Sequence, residues 1–380
     1  MPAAIDSPQL RILHVLTLNG RNGEYGGPVR VARELCQELN SRGHKTHVFS
    51  GALLGSEPAP NSELSESFVH VKPITNYLKV SSLWSWKLIS PLKKLISNSD
   101  VVHIHFARDL VPFLAAFLSI ILRKPFITQT HGMIISDGRM STRLTDFLLT
   151  RPLINRSKTN LVLTEIELSA VSKLRIKSNS YVLPNGISVE EITHRNQSLK
   201  NRVGFCSRLD KRKGIDKFIE LADEYRNYGI KFDVYGPDAG ELAFLTSQIA
   251  FRELSGVLEY KGALEAAEVQ AVVKDLDILV LPSKDEPFPM VVLETLAVGT
   301  SVLVMPSCGF SSSLRGFNSD FVAQGEDLRG LISSFEIQRL NQFKSKNQEE
   351  IRFFCRATFG ISAVVDKLLN TYRLVLANGI

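Results

Sequence analysis

The sequence predicts an α/β fold of two doubly wound, parallel-sheet domains facing a cleft. Three observations carry this expectation. The chain has 380 residues, about twice the length of a common single domain. Strand-like and helix-like segments alternate from Leu10 to Leu183, and the alternation starts afresh at Arg202. Between them, residues 187–201 (ISVEEITHRNQSLKN) are polar and read as a connection. With 44% hydrophobic and 22% charged residues, the composition excludes disorder, collagen-like repeats and a disulfide scaffold.

The first strand is read at Leu10–Leu18 (LRILHVLTL), followed by a turn-rich loop, Asn19–Gly27 (NGRNGEYGG). Pro28 suits a first helical turn, and Val29, Ala32, Leu35, Cys36 and Leu39 recur at helical spacing. Gly43 suits the end of that helix, and Lys45–Ser50 is the next strand. Asp100–His105, Pro125–Thr130, Asn160–Thr164 and Ser180–Leu183 continue the strands, with a helix at Leu110–Leu122. The second series has strands at Arg202–Ser207, Lys231–Tyr235, Leu258–Tyr260, Ile278–Leu281 and Ser301–Met305, and a helix from Ile215 to about Tyr228. The tail, Asn347–Ala377, reads as helices. The expected domains are residues 1–190 and 191–355, with 356–380 as a C-terminal helix that packs back on the first domain.

The N-terminus lacks a basic region followed by an apolar run, so no signal peptide is expected. The thirteen residues of Leu110–Leu122 would span ~20 Å as a helix, short of a ~30 Å hydrocarbon core. Cys36, Cys206, Cys308 and Cys355 form no C-x-x-C pair and suit buried positions in a reducing, cytoplasmic compartment. Residues 1–197 carry 23 basic and 15 acidic side chains, a net +8, whereas 198–380 carry 22 and 24, a net −2. The positive field therefore belongs to the first half. It suits an anionic substrate or an anionic membrane, and no nucleic-acid-binding module accompanies it.

Ligands of doubly wound sheets bind beyond the carboxyl ends of the strands, and four motifs fall there. Gly26 and Gly27 stand directly before a helix, where backbone can approach a phosphate. The glycines at 20, 23, 26 and 27 do not have G-x-G-x-x-G spacing, and Ser50–Gly51 ends the next strand without an acidic residue, so NAD is disfavoured. Arg208 and Lys213, in SRLDKRKG, flank a turn and can converge on a diphosphate, whereas Lys211 and Arg212 are read as solvated. Glu286 and Glu294, in EPFPMVVLE, bracket a helix start near Met290. His131, in TQTHGM, follows a strand end directly. His103 and His105 share a strand face, but no third metal ligand is apparent nearby, so a packed strand is preferred. The triplet Asp275–Leu276–Asp277 reads as a helix-to-strand junction, not a metal–diphosphate site.

Taken together these segments resemble glycosyltransferase family 4, retaining sugar-nucleotide transferases with the two-Rossmann GT-B fold. The resemblance spans GGPVRVARELCQELNSRGHKTHVFS, THGM, VLPNGI, SRLDKRKGID and LPSKDEPFPMVVLETLAVGTSVLV. It implies that Arg208 and Lys213 hold the diphosphate, Glu286 the donor sugar and Glu294 the nucleotide ribose. It also implies Gly26 and Gly27 as the glycine-rich loop, Phe288, Pro289 and Met290 as donor-binding neighbours, and His131 near the transferred sugar. Pro289 stands where the family often has glycine, and Ser307–Leu314 (SCGFSSSL) replaces its usual glycine pair plus acidic residue.

The implied reaction is hexosyl transfer from a UDP- or GDP-sugar to a glycan or polyprenol-linked acceptor, in cell-surface polysaccharide or glycolipid synthesis, with no metal or other cofactor. Departure of the nucleoside diphosphate builds charge that Arg208, Lys213 and a helix N-terminus stabilise. Leu83–Ile96 mixes Trp84 and Trp86 with Lys87, Lys93 and Lys94, and is the expected contact with the inner face of an anionic membrane. The alternative is a sugar-nucleotide epimerase or another nucleotide-binding enzyme of this architecture.

Overall fold

The computed structural model describes residues 8–20, 26–58, 62–75, 79–134, 139–189, 199–265, 268–341 and 348–377. Residues 1–7, the middle of the glycine-rich loop (21–25) and most of the expected connection (190–198) lie outside that set. The chain forms two compact units, Met1–Gly186 with Ile361–Ile380, and Ile187–Gly360.

In the first unit, strands β1 (Arg11–Leu18), β2 (Lys45–Ala52) and β3 (Glu66–His70) precede a two-stranded ladder of β4 (Lys72–Pro73) and β5 (Leu83–Trp84). Strands β6 (Val101–His105), β7 (Phe126–Gln129), β8 (Thr159–Val162) and β9 (Ser180–Val182) follow. The seven-stranded sheet is parallel, in the order β3-β2-β1-β6-β7-β8-β9. Helices α1 (Gly26–Ser41), α2 (Ile89–Asn98), α3 (Leu110–Ile121), α4 (Met140–Thr145), α5 (Arg151–Ile154) and α6 (Glu165–Lys173) connect the strands.

Helix α1 buries the five positions its spacing marks: Val29, Ala32, Leu35, Cys36 and Leu39. It ends where Gly43 takes φ +86°, a left-handed value that costs glycine little. The C-terminal helix, Ile361–Ala377, belongs to this unit. Its Val364, Val365, Leu368 and Tyr372 pack with Leu10, Ile12, Val31 and Leu39.

The second unit holds β10 (Arg202–Cys206), β11 (Lys231–Tyr235), β12 (Leu258–Gly262), β13 (Ile278–Leu281) and β14 (Ser301–Val304). They form a parallel sheet in the order β12-β11-β10-β13-β14. Helices α7 (Ile215–Glu224), α8 (Leu242–Phe251), α9 (Val269–Lys274), α10 (Met290–Ala297), α11 (Ser311–Phe317), α12 (Leu328–Leu340) and α13 (Gln348–Phe359) cover it. Helix α7 stops four residues before the expected Tyr228, because Tyr225 turns into the core to pack its ring on Phe335, 4.8 Å between centroids.

In each sheet the chain leaves a central strand in one direction and later returns to its other side. That switch falls between β1 and β6 in the first unit and between β10 and β13 in the second. A crevice opens at such a point beyond the carboxyl ends of the two strands.

Candidate active site

In the second unit the loops after β10 and β13 meet at the switch. The β10 loop is shaped by Asp210. Its carboxylate accepts from Arg212 N at 2.9 Å, and its carbonyl accepts from Lys213 N at 2.8 Å. That hydrogen bond to backbone, with the nearby arginines, holds the Asp210 carboxyl below its ordinary range. Gly214 then takes φ +75°, and a Cβ there would strike the carbonyl oxygen of Pro282. The two loops are therefore packed backbone to backbone.

Across this junction Lys213 Nζ bonds Glu286 Oε2, with both side chains largely buried. Arg208 is exposed on the same loop, and its side chain makes no hydrogen bond or ion pair among the described residues.

The Glu286 loop is fixed from the β14 side. Gly309 N donates to Glu286 O at 2.8 Å, and Asp285 N donates to Ser307 Oγ at 3.1 Å. Ser307–Leu314 thus holds the backbone that presents Glu286. Pro289 is buried and extended at the head of α10 and gives the helix no side-chain cap of its own. Met290 begins that helix, and Glu294 lies buried in its second turn. The Phe288 ring packs edge-on against Phe310, 4.3 Å between centroids, which ties this loop to the core.

In the first unit, Gly26 and Gly27 open α1 just beyond β1. A Cβ added at Gly27 would meet nothing within 4 Å, so packing does not demand glycine there. His131 follows β7 with φ +49° and Gly132 with φ +75°. Two consecutive left-handed residues need support, and buried Glu167 supplies it. Its carboxylate accepts from Thr130 Oγ1 (2.5 Å), Gly132 N (2.6 Å) and Leu163 N (2.7 Å). Burial raises the Glu167 pKa against those bonds. Sequence reasoning missed Glu167, although Thr164–Glu167 is a T-x-x-E capping signature: Thr164 Oγ1 accepts from Glu167 N at 3.2 Å.

The expectation that no third ligand accompanies His103 and His105 is corrected. Parallel pairing of β1 with β6 sets His14 opposite His103. One ring nitrogen each of His14, His103 and His105 lies within 4.8 Å of the others. Desolvation lowers the proton affinity of buried His14, His103 and His105 and of part-buried His131, to about 3 for His14 and His131 and well below the ordinary value for His103 and His105. Neutral imidazoles are the form that ligates a metal, and the three rings are a candidate cluster among the described residues. The His103 and His105 rings lie 4.7 Å apart between centroids and within 5° of parallel.

Two further expectations meet the structure directly. In Leu83–Ile96, Leu83, Leu88, Leu92 and Ile96 are buried, so the apolar side of that segment faces the core. Only Trp86, Lys87, Lys93 and Lys94 of its marked residues are exposed. The Asp275–Asp277 triplet is a junction: Asp277 accepts from Lys200 N and Arg202 N to start β10, and Asp275 pairs with Lys200. All four cysteines are buried, and desolvation raises each thiol to about 12, which makes them packing groups.

Comparison with known proteins agrees with this arrangement. Residues 25–191 match the family described as Glycosyltransferase Family 4, and residues 190–337 match Glycosyl transferases group 1. The chain is 27% identical over 155 residues, 38% of its length, to WcaL of Escherichia coli (strain K12), named as a colanic acid biosynthesis glycosyltransferase. The match spans 36% of that relative, and 55% of a second curated relative. Among solved structures, Anabaena Alr3699/HepE in complex with UDP superposes with a TM-score of 0.74 at 15% identity, covering 96% of this chain and 100% of that one. Sucrose-phosphate synthase from Thermosynechococcus elongatus does so with a TM-score of 0.76 at 14% identity, covering 98% and 100%. The α/β fold with two parallel sheets is shared with these GT-B proteins along nearly the whole chain. With consecutive matches from residue 25 to residue 337, the chain belongs to glycosyltransferase family 4.

Proposed function

We propose that the chain is a retaining hexosyltransferase. It takes the sugar from a UDP- or GDP-sugar and passes it to a glycan or polyprenol-linked acceptor in cell-surface polysaccharide synthesis. The observation that carries this reading is the meeting of Lys213 with Glu286 at the β10–β13 switch, beside exposed Arg208.

Cleavage of the bond from C1 to the phosphate oxygen leaves negative charge on the diphosphate. Arg208 is a two-pronged donor for it, Lys213 a point charge, and the start of α10 a partial positive charge. Charge neutralisation by these groups supports a reaction without a metal. Glu286, already engaged by Lys213, is poised to accept from a sugar hydroxyl rather than to attack carbon. Glu294 has the type and place to accept from ribose hydroxyls. The open space around Gly27 suits close approach of the donor. HepE is solved with UDP and with UDP-glucose, and WcaL is named for colanic acid biosynthesis, which favours a uridine donor and a polysaccharide product for the first assays.

The test is a thermal-shift panel with UDP, GDP, ADP and NAD. UDP or GDP is expected to raise Tm with or without EDTA, by mass action on the folded state. Arg208→Ala/Lys213→Ala is expected to abolish that shift. A shift from NAD alone, or none from any diphosphate, rejects the reading.

A lipid-linked acceptor would bring the enzyme to a membrane, and one surface of the first unit suits that. No helix among the described residues is long and apolar enough to cross a bilayer. However, Met140, Leu144, Phe147 and Leu148, at i, i+4, i+7 and i+8, are all exposed, beside exposed Arg139 and Arg143. The opposite side, Asp146, Thr150 and Ile154, is buried, and Arg108 anchors Asp146 at 2.7 Å. An outward apolar stripe edged with arginines fits an anionic lipid surface. The protein is expected to float with vesicles containing phosphatidylglycerol, and Phe147→Glu/Leu148→Glu to stay in solution with its nucleotide shift intact. Equal flotation of the variant, or none of the wild type, rejects this surface.

A further inference from the structure

The histidines of the first unit form a chain with a direction. His105 Nδ1 lies 2.7 Å from His131 Nε2, and His105 Nε2 lies 3.1 Å from His14 Nδ1. The corresponding ring centroids are 5.0 and 5.4 Å apart. Both separations grow by the same 0.4 Å, as they must when rings are joined end to end rather than face to face. His105 therefore uses both nitrogens, one toward the core and one toward the strand-end loop that carries His131. His103 stands outside this chain. It stacks on His105, and its Nδ1 is 2.8 Å from the Tyr372 hydroxyl.

A neutral imidazole has one N–H and one bare nitrogen. Burial keeps these rings neutral at pH 7. His105 must then donate on one side and accept on the other, so every proton in the chain points the same way. Two states remain, and the inner end selects between them. His14 Nε2 is buried and has no hydrogen-bond partner among the described residues. Protons pointing inward would strand an N–H there. Protons pointing outward leave only a lone pair, and a stranded buried donor is the rarer arrangement. At the outer end either state is tolerable, because His131 is only part-buried and solvent or ligand can meet its Nδ1.

We propose that His14 and His105 are positioning residues that hold His131 as the neutral Nδ1–H tautomer. His131 then offers a hydrogen-bond donor, and no basic lone pair, to an oxygen of the bound ligand. His14 Nδ1–H donates to His105 Nε2, His105 Nδ1–H donates to His131 Nε2, and His131 Nδ1–H points outward. Glu167 completes the device by fixing Thr130 and Gly132 on either side of His131. Only the identity of that ligand as a donor sugar rests on the transferase reading. The tautomer needs only the geometry and neutral rings.

The experiment is long-range proton–nitrogen NMR of the full-length protein labelled with ¹⁵N-histidine, at pH 7.5, with His131→Gln to assign the resonance. His131 is expected to show a protonated Nδ1 and a bare Nε2. In His105→Phe the ring is expected to revert to the Nε2–H form that imidazole favours in water. Turnover of that variant is expected to fall about 10–100-fold, with donor KM changed by less than about threefold. An Nε2–H or doubly protonated His131 in the wild type overturns the proposal, as does an unchanged tautomer in His105→Phe. If that variant does not fold, the wild-type spectrum decides, and His14→Phe provides the second variant. These spectra need no substrate, so a failed nucleotide panel leaves them decisive and they leave it so.

Discussion

Lys213→Ala is expected to lower kcat/KM by about 10²–10³-fold, the usual effect of deleting one preorganised donor to developing charge. Glu286→Gln is expected to behave differently, although the two side chains are partners. In the resting structure they are only 14% and 16% exposed. A diphosphate that reaches Lys213 must share it with a carboxylate, and like charges in a partly desolvated site oppose each other. Removing the Glu286 charge frees Lys213. UDP alone should then bind about threefold to tenfold tighter, a difference of up to about 1.4 kcal/mol. Turnover should nonetheless fall, because the acceptor for a sugar hydroxyl is gone. Calorimetric titration of UDP beside steady-state kinetics separates these effects. If both substitutions weaken UDP equally, Glu286 does not restrain Lys213. If Lys213→Ala leaves turnover intact, the lysine is structural.

That pairing was half legible. The sequence places Lys213 after one strand and Glu286 after another, and doubly wound sheets collect such ends. It does not say that β10 and β13 are neighbours, since strand order depends on crossovers that no local pattern records. The same gap hid His14. Nothing in LRILHVLTL marks it as special until β1 pairs with β6 and sets it against His103. Strand β3 was missed for another reason. ESFVH is a short edge strand, half-exposed, with too little alternation to stand out from a loop. The buried interiors of the central strands were readable because both faces are covered, which leaves near-continuous apolar runs. Exposed Met140, Leu144, Phe147 and Leu148 show the converse limit. Their spacing alone reads as an ordinary core-facing helix, and only the structure turns that stripe outward.

The first unit is expected to lose stability on mild acidification. His14, His103, His105 and His131 are held neutral by desolvation, with pKa values lowered to about 3 for the first and last and well below ordinary for the other two. His44 and His47 are lowered in the same direction by desolvation. A histidine whose folded pKa lies below its unfolded value of about 6.5 takes up its proton first in the unfolded chain. Its contribution to stability is therefore complete above pH 6.5 and is lost as pH falls toward the folded value. His14 alone, with its folded value at about 3, costs about 2 kcal/mol between pH 7 and pH 5, and the other lowered histidines act in the same direction. A domain holds only about 5–15 kcal/mol in all, so this loss is a measurable share of it. The chain's two tryptophans, Trp84 and Trp86, both lie in the first unit, so urea unfolding followed by their fluorescence reports that unit. The urea midpoint should fall below pH 6.5, and His14→Asn should reduce the slope. The second unit has no histidine among its described residues, and its strand amides should keep their exchange protection at pH 5. A urea midpoint unchanged from pH 7 to pH 5 would mean that the imidazoles are protonated in the folded state. A buried chain of neutral rings would then not exist.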